Sequence, residues 1–267
     1  MSGTIGYGLM CKAPRPGLSK TRLAASVGDK AAAEIARALL EDSAAAPQWA
    51  AREQALDLTA FYRPANAEAE LRSILGDEWR YQFADAGDLG ATMLSAFRHL
   101  LSLNPGGALI AGADVPLMSP RDIGAACSAL RLMHRKGLVI QPTYDGGYCM
   151  IGIKCAKAAE PLFAPLPWGT PVVYEATLDR ARLHGFSITL LPRQRDVDDI
   201  DDLTWLRTQL REARHGGLQM RKLLRPEHAS PSSASWRATE LRTKAETKRT
   251  IPLQPAQDRR CAEAVEC

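Results

Sequence analysis

The sequence predicts an α/β fold in which a largely parallel sheet is covered by helices on both faces. Short apolar runs alternate with segments of helical spacing for most of the chain, as in parallel sheets joined by crossover helices. The 267 residues are 46% hydrophobic and 24% charged, which is typical of globular proteins rather than disordered or fibrous chains. This length fits one large domain or two small ones.

The strands are predicted from short apolar runs that are bounded by Gly, Pro, Asp or Asn. The first run is followed by a Pro/Gly-rich loop that extends through Lys20. Two later runs flank a Thr-Tyr-Asp-Gly-Gly turn and are expected to pair. The predicted strands are residues 4–11, 56–62, 79–83, 107–113, 137–141, 147–153 and 187–192.

The helices are predicted from 3.6-residue periodicity and from their caps. Ser119 before Pro120 is a favoured helix start, and Asp122 completes a capping box. Thr170-Pro171 begins another helix, and Gly185 ends it. The other predicted helices are residues 29–46, 67–75, 88–103 and 200–213.

The net charge of +4 is concentrated at the end of the chain. Residues 211–267 carry 12 Lys and Arg against seven Asp and Glu, whereas residues 1–210 carry 22 against 23. A near-neutral body argues against nucleic-acid binding by the folded part. Residues 228–250 are rich in Ser, Thr and charge. We therefore expect a domain over 1–213 and a basic, disordered tail over 214–267, with an arm for an anionic partner as the less favoured alternative.

Several classes of protein are disfavoured by what the sequence lacks. No apolar run approaches the roughly 18 residues of a membrane span, and residues 1–12 lack the regions of a signal peptide. The six cysteines show neither a CxxC pair nor zinc-ligand spacing with histidine. We expect a cytoplasmic protein with reduced thiols and no membrane partner.

The loop after the first strand, KAPRPGLSKTRL (residues 12–23), gathers cations at a ligand-binding position. Ligands of α/β sheets lie beyond the carboxyl ends of the strands. Lys12, Arg15, Lys20 and Arg22 surround a Pro-Gly turn, and such clusters bind diphosphates. The loop matches neither the Walker pattern nor GxGxxG. A solvated surface turn is the alternative for this charge cluster.

Two acidic segments could complete a metal site. Asp114 ends an apolar strand, where a carboxylate is costly unless it is paired or binds a cation, and capping of the local turn is the alternative. Asp196, Asp198 and Asp199 precede the last predicted helix. We expect Asp199 to cap that helix with Asp202 at its third position, which leaves two aspartates without a structural task.

A glycine-rich turn supplies a further carboxylate on the same rim. Gly146-Gly147 lets the backbone approach a ligand closely, and Asp145 is expected to face the ligand.

Six motifs occur in order along the chain: KAPRPGLSKTRL, GDLG (87–90), GADVP (112–116), DGGYCMIG (145–152), PLPWGTP (165–171) and RDVDDIDDL (195–203). Together they resemble the DUF2064 family of glycosyltransferase-A-like proteins, often named radical-SAM/selenodomain-associated or arsenosugar-biosynthesis glycosyltransferases. The resemblance spans roughly residues 4–210 and extends more remotely to molybdenum-cofactor and phospholactate nucleotidyltransferases. It implies a three-layer, Rossmann-like nucleotide-diphospho-sugar transferase (GT-A) fold with a mostly parallel sheet.

The resemblance also implies roles for individual residues, transferred by position. Asp114 and Asp198 are implied ligands of Mg²⁺ or Mn²⁺, Lys20 and Asp145 are implied catalytic residues, and Tyr148 is implied on the acceptor side. The implied nucleotide-binding residues are Lys12, Pro14, Gly17, Lys20, Thr21, Arg22, Gly87, Asp88 and Gly90.

Two departures from the family pattern bear on activity. The usual DCPDL has an acid where this chain has Leu117, and the usual DGGYY ends here in Cys149. The leading hypothesis is metal-dependent glycosyl transfer from a nucleotide-activated donor to a small-molecule acceptor. Nucleotidyl transfer with pyrophosphate release is the alternative within the fold, and a non-catalytic nucleotide binder is the alternative outside it. A homodimer is left open.

Overall fold

The computed structural model describes residues 3–84, 87–212 and 216–224. Within these residues, seven strands form one sheet in the order β3-β2-β1-β4-β6-β5-β7. All described pairings are parallel except the two that β6 makes with β4 and β5. The strands are β1 (Ile5–Lys12), β2 (Leu56–Arg63), β3 (Arg80–Phe83), β4 (Gly107–Gly112), β5 (Gly137–Pro142), β6 (Tyr148–Ile153) and β7 (Ser187–Leu190).

Helices connect the strands and cover both faces of the sheet. Short 3₁₀ turns at Ala65–Ala67 and Glu160–Phe163 supplement them. The described helices are α1 (Thr21–Val27), α2 (Asp29–Glu53), α3 (Glu68–Leu75), α4 (Leu89–Leu103), α5 (Pro120–Leu132), α6 (Ala156–Ala159), α7 (Val173–Leu183), α8 (Ile200–Glu212) and α9 (Leu218–Leu224).

The core has two parts because successive strand residues point to opposite faces. On one face, alternate residues of β1 pack with α2, α3 and α5, and Tyr7 meets Trp79 edge-on with ring centroids 6.3 Å apart. On the other face, Phe97 and Leu100 of α4 pack against Ile110 and Ile151. The predicted three-layer α/β fold with a mostly parallel sheet is confirmed.

The observed α2 is longer than the helix predicted over residues 29–46. It runs to Glu53 with Pro47 inside it, although proline normally interrupts a helix interior. Ala46, Pro47 and Ala50 are all buried on the side that faces the core. Packing therefore outweighs the local cost of the proline, and the sequence pattern placed the end too early.

The structure also differs from the predicted start of the tail. Helix α9 lies within residues 214–267, and its Met220 is fully buried. The carboxylate of Asp42, on α2, accepts hydrogen bonds from the backbone N–H groups of Gln219 (2.8 Å) and Met220 (2.9 Å). Residues 216–224 therefore pack against the domain, and the predicted tail over 225–267 lies outside the described residues.

Among the described residues, no helix combines the length and the apolar character that crossing a bilayer requires.

Candidate active site

The site lies at the carboxyl ends of β1 and β4, where the strand order reverses. These two strands are neighbours, but the chain continues from β1 towards β2 and from β4 towards the other edge of the sheet. Such a switch point opens a crevice between the departing loops, and open α/β sheets bind ligands there. Lys12 and Arg63 end adjacent strands at this crevice, and Asp114 follows β4.

The crevice contains a cavity of about 570 Å³, the first cavity, with a charged rim and an apolar wall. The charged or hydroxyl-bearing residues include Lys12, Lys20, Thr21, Arg22, Arg63, Asp114 and Asp198, and the apolar ones include Leu18, Ala36, Leu40, Phe61 and Leu89. A polar rim beside an apolar wall suits a ligand with an anionic and a flat part.

Lys20 joins two of the loops that form the first cavity. Its Nζ lies 3.1 Å from Oδ2 of Asp114 and 2.7 Å from Oδ1 of Asp198, and its side chain is only 14% exposed. Burial lowers the pKa of Lys20, but the charges of Asp114 and Asp198 outweigh burial, so this pKa lies above its usual value. The two predicted metal ligands therefore share the ammonium of Lys20.

The backbone of Lys20 is also unusual. The residue has φ 49° and ψ 50° immediately before α1, a left-handed conformation that is uncommon outside glycine. Such strain persists only where surrounding contacts enforce it, and it is concentrated at functional sites.

The rest of the first loop, residues 13–19, stabilises its own conformation. The hydroxyl of Ser19 donates to the Ala13 carbonyl (2.8 Å) and accepts from the Arg15 N–H (3.2 Å). Arg15 turns away from the cavity and pairs with Glu70 of α3 at 2.8 Å. Pro14 and Gly17, two of the predicted nucleotide-binding residues, do not line the cavity. Of the nucleotide-binding residues predicted in this loop region, Lys12, Lys20, Thr21 and Arg22 line the cavity, together with Leu18 and Ser19.

The segment before α8 runs beside Asp114. The N–H of Val197 donates to the carbonyl of Asp114 at 3.1 Å, which places Asp198 at the cavity. Arg22 approaches Asp198 at 3.7 Å and Asp199 at 2.9 Å.

The predicted helix cap before α8 is confirmed. The carboxylate of Asp199 accepts from the N–H of Asp202 at 3.1 Å, and Asp202 accepts from the Asp199 N–H in return. Asp198 lacks a capping role for its own side chain and is available to the site.

Asp196 is the second aspartate of this segment without a capping role. Burial, followed by the charges of Asp114, Asp145 and Asp198, raises the pKa of Asp196 to about 7. Burial and the acidic groups from three loops therefore together disfavour a negative charge on Asp196.

A second cavity of about 250 Å³ adjoins the first, and Met10, Arg22, Leu89 and Asp198 line both. Its own lining includes Asp145, Gly147, Tyr148, Trp168, Gly169 and Thr170. Among the described residues that line it, Arg22 is the sole cation. The two cavities thus differ in charge and meet at Arg22 and Asp198.

The glycine-rich turn that carries Asp145 packs against the loop that carries Trp168. Gly146 has φ 90°, and a Cβ there would overlap the carbonyl oxygen of Pro171. The carbonyl of Gly146 accepts from the N–H of Tyr174 at 3.0 Å. The Asp145 carboxylate accepts from the Gly147 N–H at 3.0 Å and from the Thr143 hydroxyl. These contacts hold Asp145 at the exposed rim of the second cavity.

The Gly87–Gly90 motif mainly caps and packs the start of α4. Asp88 caps α4 by accepting from the N–H of Ala91 at 2.8 Å. A Cβ on Gly90 would lie 2.6 Å from the Phe163 carbonyl oxygen and 2.7 Å from Trp168. Of the motif, Leu89 lines the cavities, whereas the predicted nucleotide-binding residues Gly87, Asp88 and Gly90 do not.

The carboxylates of Asp114 and Asp198 fit a divalent cation as a pair. Both already reach a single positively charged atom, Nζ of Lys20, and carboxylate oxygens are the ligands that Mg²⁺ and Mn²⁺ prefer. In the part of the chain that the structure describes, no group of three or more His, Cys, Asp or Glu side chains is arranged to hold a metal. Further ligands would therefore come from substrate phosphates and water.

Sequence reasoning missed Arg63 and Trp168. Arg63 donates from Nε to the Ala84 carbonyl (2.8 Å) and from Nη2 to the Thr92 hydroxyl (3.0 Å), which fixes it on the wall of the first cavity. A strand-end arginine has no local signal. Trp168 lies within the motif PLPWGTP (165–171), and its aromatic character is the signal by which the sequence could have identified it.

The sheet order and the crevice at the switch point are those of an open α/β sheet, and the likeness to the solved structures reported below identifies the fold as Rossmann-like, of the nucleotide-diphospho-sugar transferase (GT-A) type. Residues 46–170 match the model of a family described as an uncharacterized protein conserved in bacteria (DUF2064). The resemblance that the motifs predicted is confirmed, over a shorter range than residues 4–210.

Three known proteins illustrate the likeness. A phosphoenolpyruvate guanylyltransferase of Roseiflexus sp. (strain RS-1) is 31% identical over 103 residues, which cover 38% of this chain and only 44% of that relative. A candidate nucleotide-diphospho-sugar transferase from Desulfovibrio desulfuricans G20 has a TM-score of 0.71 at 24% identity, over 90% of this chain and 97% of its own. A cytidylyltransferase from Leptospira borgpetersenii has a TM-score of 0.53 at 12% identity, over 94% and 99%. The two structural likenesses concern the fold.

Proposed function

We propose that this chain is a metal-dependent glycosyltransferase-like enzyme that transfers a sugar from a nucleotide-diphosphate donor to a small acceptor. The observation that carries the proposal is the junction of the two cavities at Arg22 and Asp198. A donor in the first cavity and an acceptor in the second would meet there. Placing two reactants side by side supplies much of the rate enhancement of a transferase.

The first cavity suits the nucleoside diphosphate part of the donor. Lys12 lines it, and its ammonium has no ion pair or hydrogen bond to the described residues, so it is available to a phosphate. Arg22 lies at the junction and Lys20 contacts Asp198 there, so both would stabilise the charge that develops on the departing diphosphate. The apolar wall formed by Leu40 and Phe61 suits a base.

Asp114 and Asp198 would hold the divalent metal. Bound there, a metal would neutralise negative charge on the diphosphate as it leaves. The protein residues position the donor and orient its diphosphate towards Lys20 and Arg22.

The second cavity suits a neutral, hydroxyl-bearing acceptor. Trp168 offers an aromatic face, and Arg22 is the one cation among the described lining residues, which disfavours a phosphorylated acceptor there. Asp145 at the rim would accept the proton of the attacking hydroxyl. The oxygen–carbon bond to the sugar forms as the bond to the diphosphate oxygen breaks.

A second candidate is nucleotidyl transfer, in which a phosphate oxygen of the acceptor attacks the α-phosphorus of an NTP and pyrophosphate leaves. The matched region of the guanylyltransferase relative favours it. The four cationic residues of the first cavity, Lys12, Lys20, Arg22 and Arg63, would also accommodate a triphosphate.

A ligand and turnover screen separates the two candidates. Thermal-shift measurements with UDP-, GDP- and CDP-sugars and with the four NTPs, each with Mg²⁺ or Mn²⁺, identify the donor. Release of nucleoside diphosphate from a sugar donor supports glycosyl transfer, whereas pyrophosphate release from an NTP supports the second candidate. Asp114→Ala tests the metal assignment. An unchanged metal dependence of ligand binding in that variant would refute the assignment.

A further inference from the structure

Lys20 occupies the position between the two carboxylates that would hold the metal. Its Nζ is within hydrogen-bond distance of both Asp114 and Asp198, at 3.1 and 2.7 Å, and the side chain is largely buried. A divalent ion coordinated by the same two carboxylates would lie within a few ångströms of this ammonium. Two cations at such a distance repel each other strongly in a partly buried site.

The ammonium and the metal therefore compete for the same oxygens. Asp198 has Arg22 as a further partner at 3.7 Å, but Arg22 is exposed and pairs more closely with Asp199. Within the described residues, Lys20 is the cation that contacts both members of the pair. The metal can bind both carboxylates fully only after the Lys20 side chain has moved.

A nucleotide diphosphate provides a place for the displaced ammonium. Lys20 lines the first cavity, where the proposed function places the diphosphate, and its flexible four-carbon stem allows Nζ to exchange carboxylate for phosphate oxygens. The phosphates also supply the metal ligands that Asp114 and Asp198 do not.

We propose that Lys20 is an internal counter-ion that keeps the divalent metal from binding tightly until a nucleotide diphosphate is present. The inference rests on the proposed function, since it assumes that Asp114 and Asp198 are the metal pair. It makes metal binding conditional on the nucleotide. The metal-free protein is stabilised by Lys20, and the loaded protein uses the same side chain on the diphosphate.

The test is the affinity of the nucleotide-free protein for Mn²⁺, measured by calorimetry and by the electron paramagnetic resonance signal of free Mn²⁺. Lys20→Met should raise this affinity by about tenfold, within the usual range for coupling between two ligands. Lys20→Arg keeps the positive charge and should leave the Mn²⁺ affinity near the wild-type value. Lys12→Met is the matched control, because Lys12 lines the same cavity without contacting the carboxylates.

An unchanged or weaker Mn²⁺ affinity in Lys20→Met overturns the proposal. Because this variant loses a buried ion pair, its stability is followed as well: Mn²⁺ should raise its melting temperature more than that of the wild type. Equal shifts in the two proteins also count against the inference. If Lys20→Met does not fold, both measurements are repeated with Lys20→Gln, which keeps a hydrogen-bond donor.

The two proposals fail in different ways. A tighter Mn²⁺ site in Lys20→Met supports the counter-ion role even if the wild type turns over no nucleotide sugar. Turnover by the wild type with no gain in Lys20→Met supports the proposed function and removes the counter-ion role.

Discussion

The two loops that meet at Lys20 and Asp114 are held in place in different ways. The loop of residues 13–19 is closed by its own hydrogen bonds around Ser19, with Arg15 attached to α3. The loop of residues 114–118 has one internal backbone bond, from the Met118 N–H to the Val115 carbonyl at 3.1 Å, and otherwise depends on partners from far along the chain. Its Asp114 carbonyl accepts from the Val197 N–H, and its Pro116 carbonyl accepts from the Gly217 N–H at 3.0 Å.

This difference connects the segment of residues 216–224 to the candidate metal site. The backbone of Gly216 and Gly217 lies close to Pro116 and Leu117, and the next residues form α9, which Asp42 holds against α2. A change near residue 217 is therefore expected to disturb the loop of Asp114, whereas the first loop is insulated from it.

The largest effect is expected from a change at the Asp114 side chain, in the loop of residues 114–118. Asp114→Asn removes a negative charge that faces Lys20 and would face the proposed metal. Transferase activity should fall by about 100- to 1000-fold, as when a principal electrostatic group is lost, while circular dichroism remains native. The donor identified by the screen is the substrate for this assay. Activity within twofold of the wild type would remove Asp114 from the proposed mechanism.

Truncation tests the dependence of that loop on residues 216–224. A chain ending at residue 215 loses α9 with its buried Met220, so the melting temperature should fall by about 5 °C. Mn²⁺ affinity in the presence of nucleotide should fall with it. A chain ending at Leu224 keeps α9 and is the control. Equal melting temperatures for the two truncated chains would show that α9 does not support the domain.

Much of the fold and part of the site follow from local sequence signals. Helix starts at Ser119 and Asp199 were predictable because their caps lie within three residues, and both caps are observed. The crevice was predictable because cations and Asp114 follow strands.

The remaining features depend on partners that are distant in sequence. Lys20 is 94 residues from Asp114 and 178 from Asp198, and Asp42 is 177 residues from Gln219. The family resemblance assigns Lys20, Asp114 and Asp198 to one site, but neither periodicity nor local spacing reports the direct contacts, because only the folded sheet brings the segments together. The end of α2 at Glu53 was missed for the same reason, because burial of Ala46, Pro47 and Ala50 against the core carries the helix beyond residue 46.

A smaller loss of stability is expected when α9 is present but Asp42 no longer caps it. Asp42→Ala leaves the N–H groups of Gln219 and Met220 without their acceptor, at a cost of about 1–2 kcal/mol in the free energy of unfolding. Chemical denaturation measures the change. Glu41→Ala removes a neighbouring acid whose partner is Arg37 on the same helix, and should cost less than about 0.5 kcal/mol. Similar costs for both variants would contradict the capping role.

Leu117 stands where the family resemblance predicts an acid, and a substitution there tests whether this residue belongs to the metal site or only packs against residues 216–217. The side chain lines neither cavity and lies within reach of Gly216 and Gly217. We expect Leu117→Asp to lose about 1 kcal/mol of stability through lost apolar contact without raising Mn²⁺ affinity. Leu117→Met retains the contact and serves as the control. A gain in Mn²⁺ affinity with aspartate would place residue 117 in the metal site after all.

The smallest effect is expected in the first loop, because its conformation has several supports. Arg15→Ala removes the ion pair with Glu70, which is partly exposed and worth less than about 1 kcal/mol. The hydrogen bonds of Ser19 remain, so Lys20 stays in place. The KM for the donor should rise by less than about threefold with kcat unchanged, since only ground-state positioning is touched. Ser19→Ala, which breaks the internal bonds instead, should raise KM more than Arg15→Ala does. The reverse order would mean that α3, rather than the loop itself, positions Lys20.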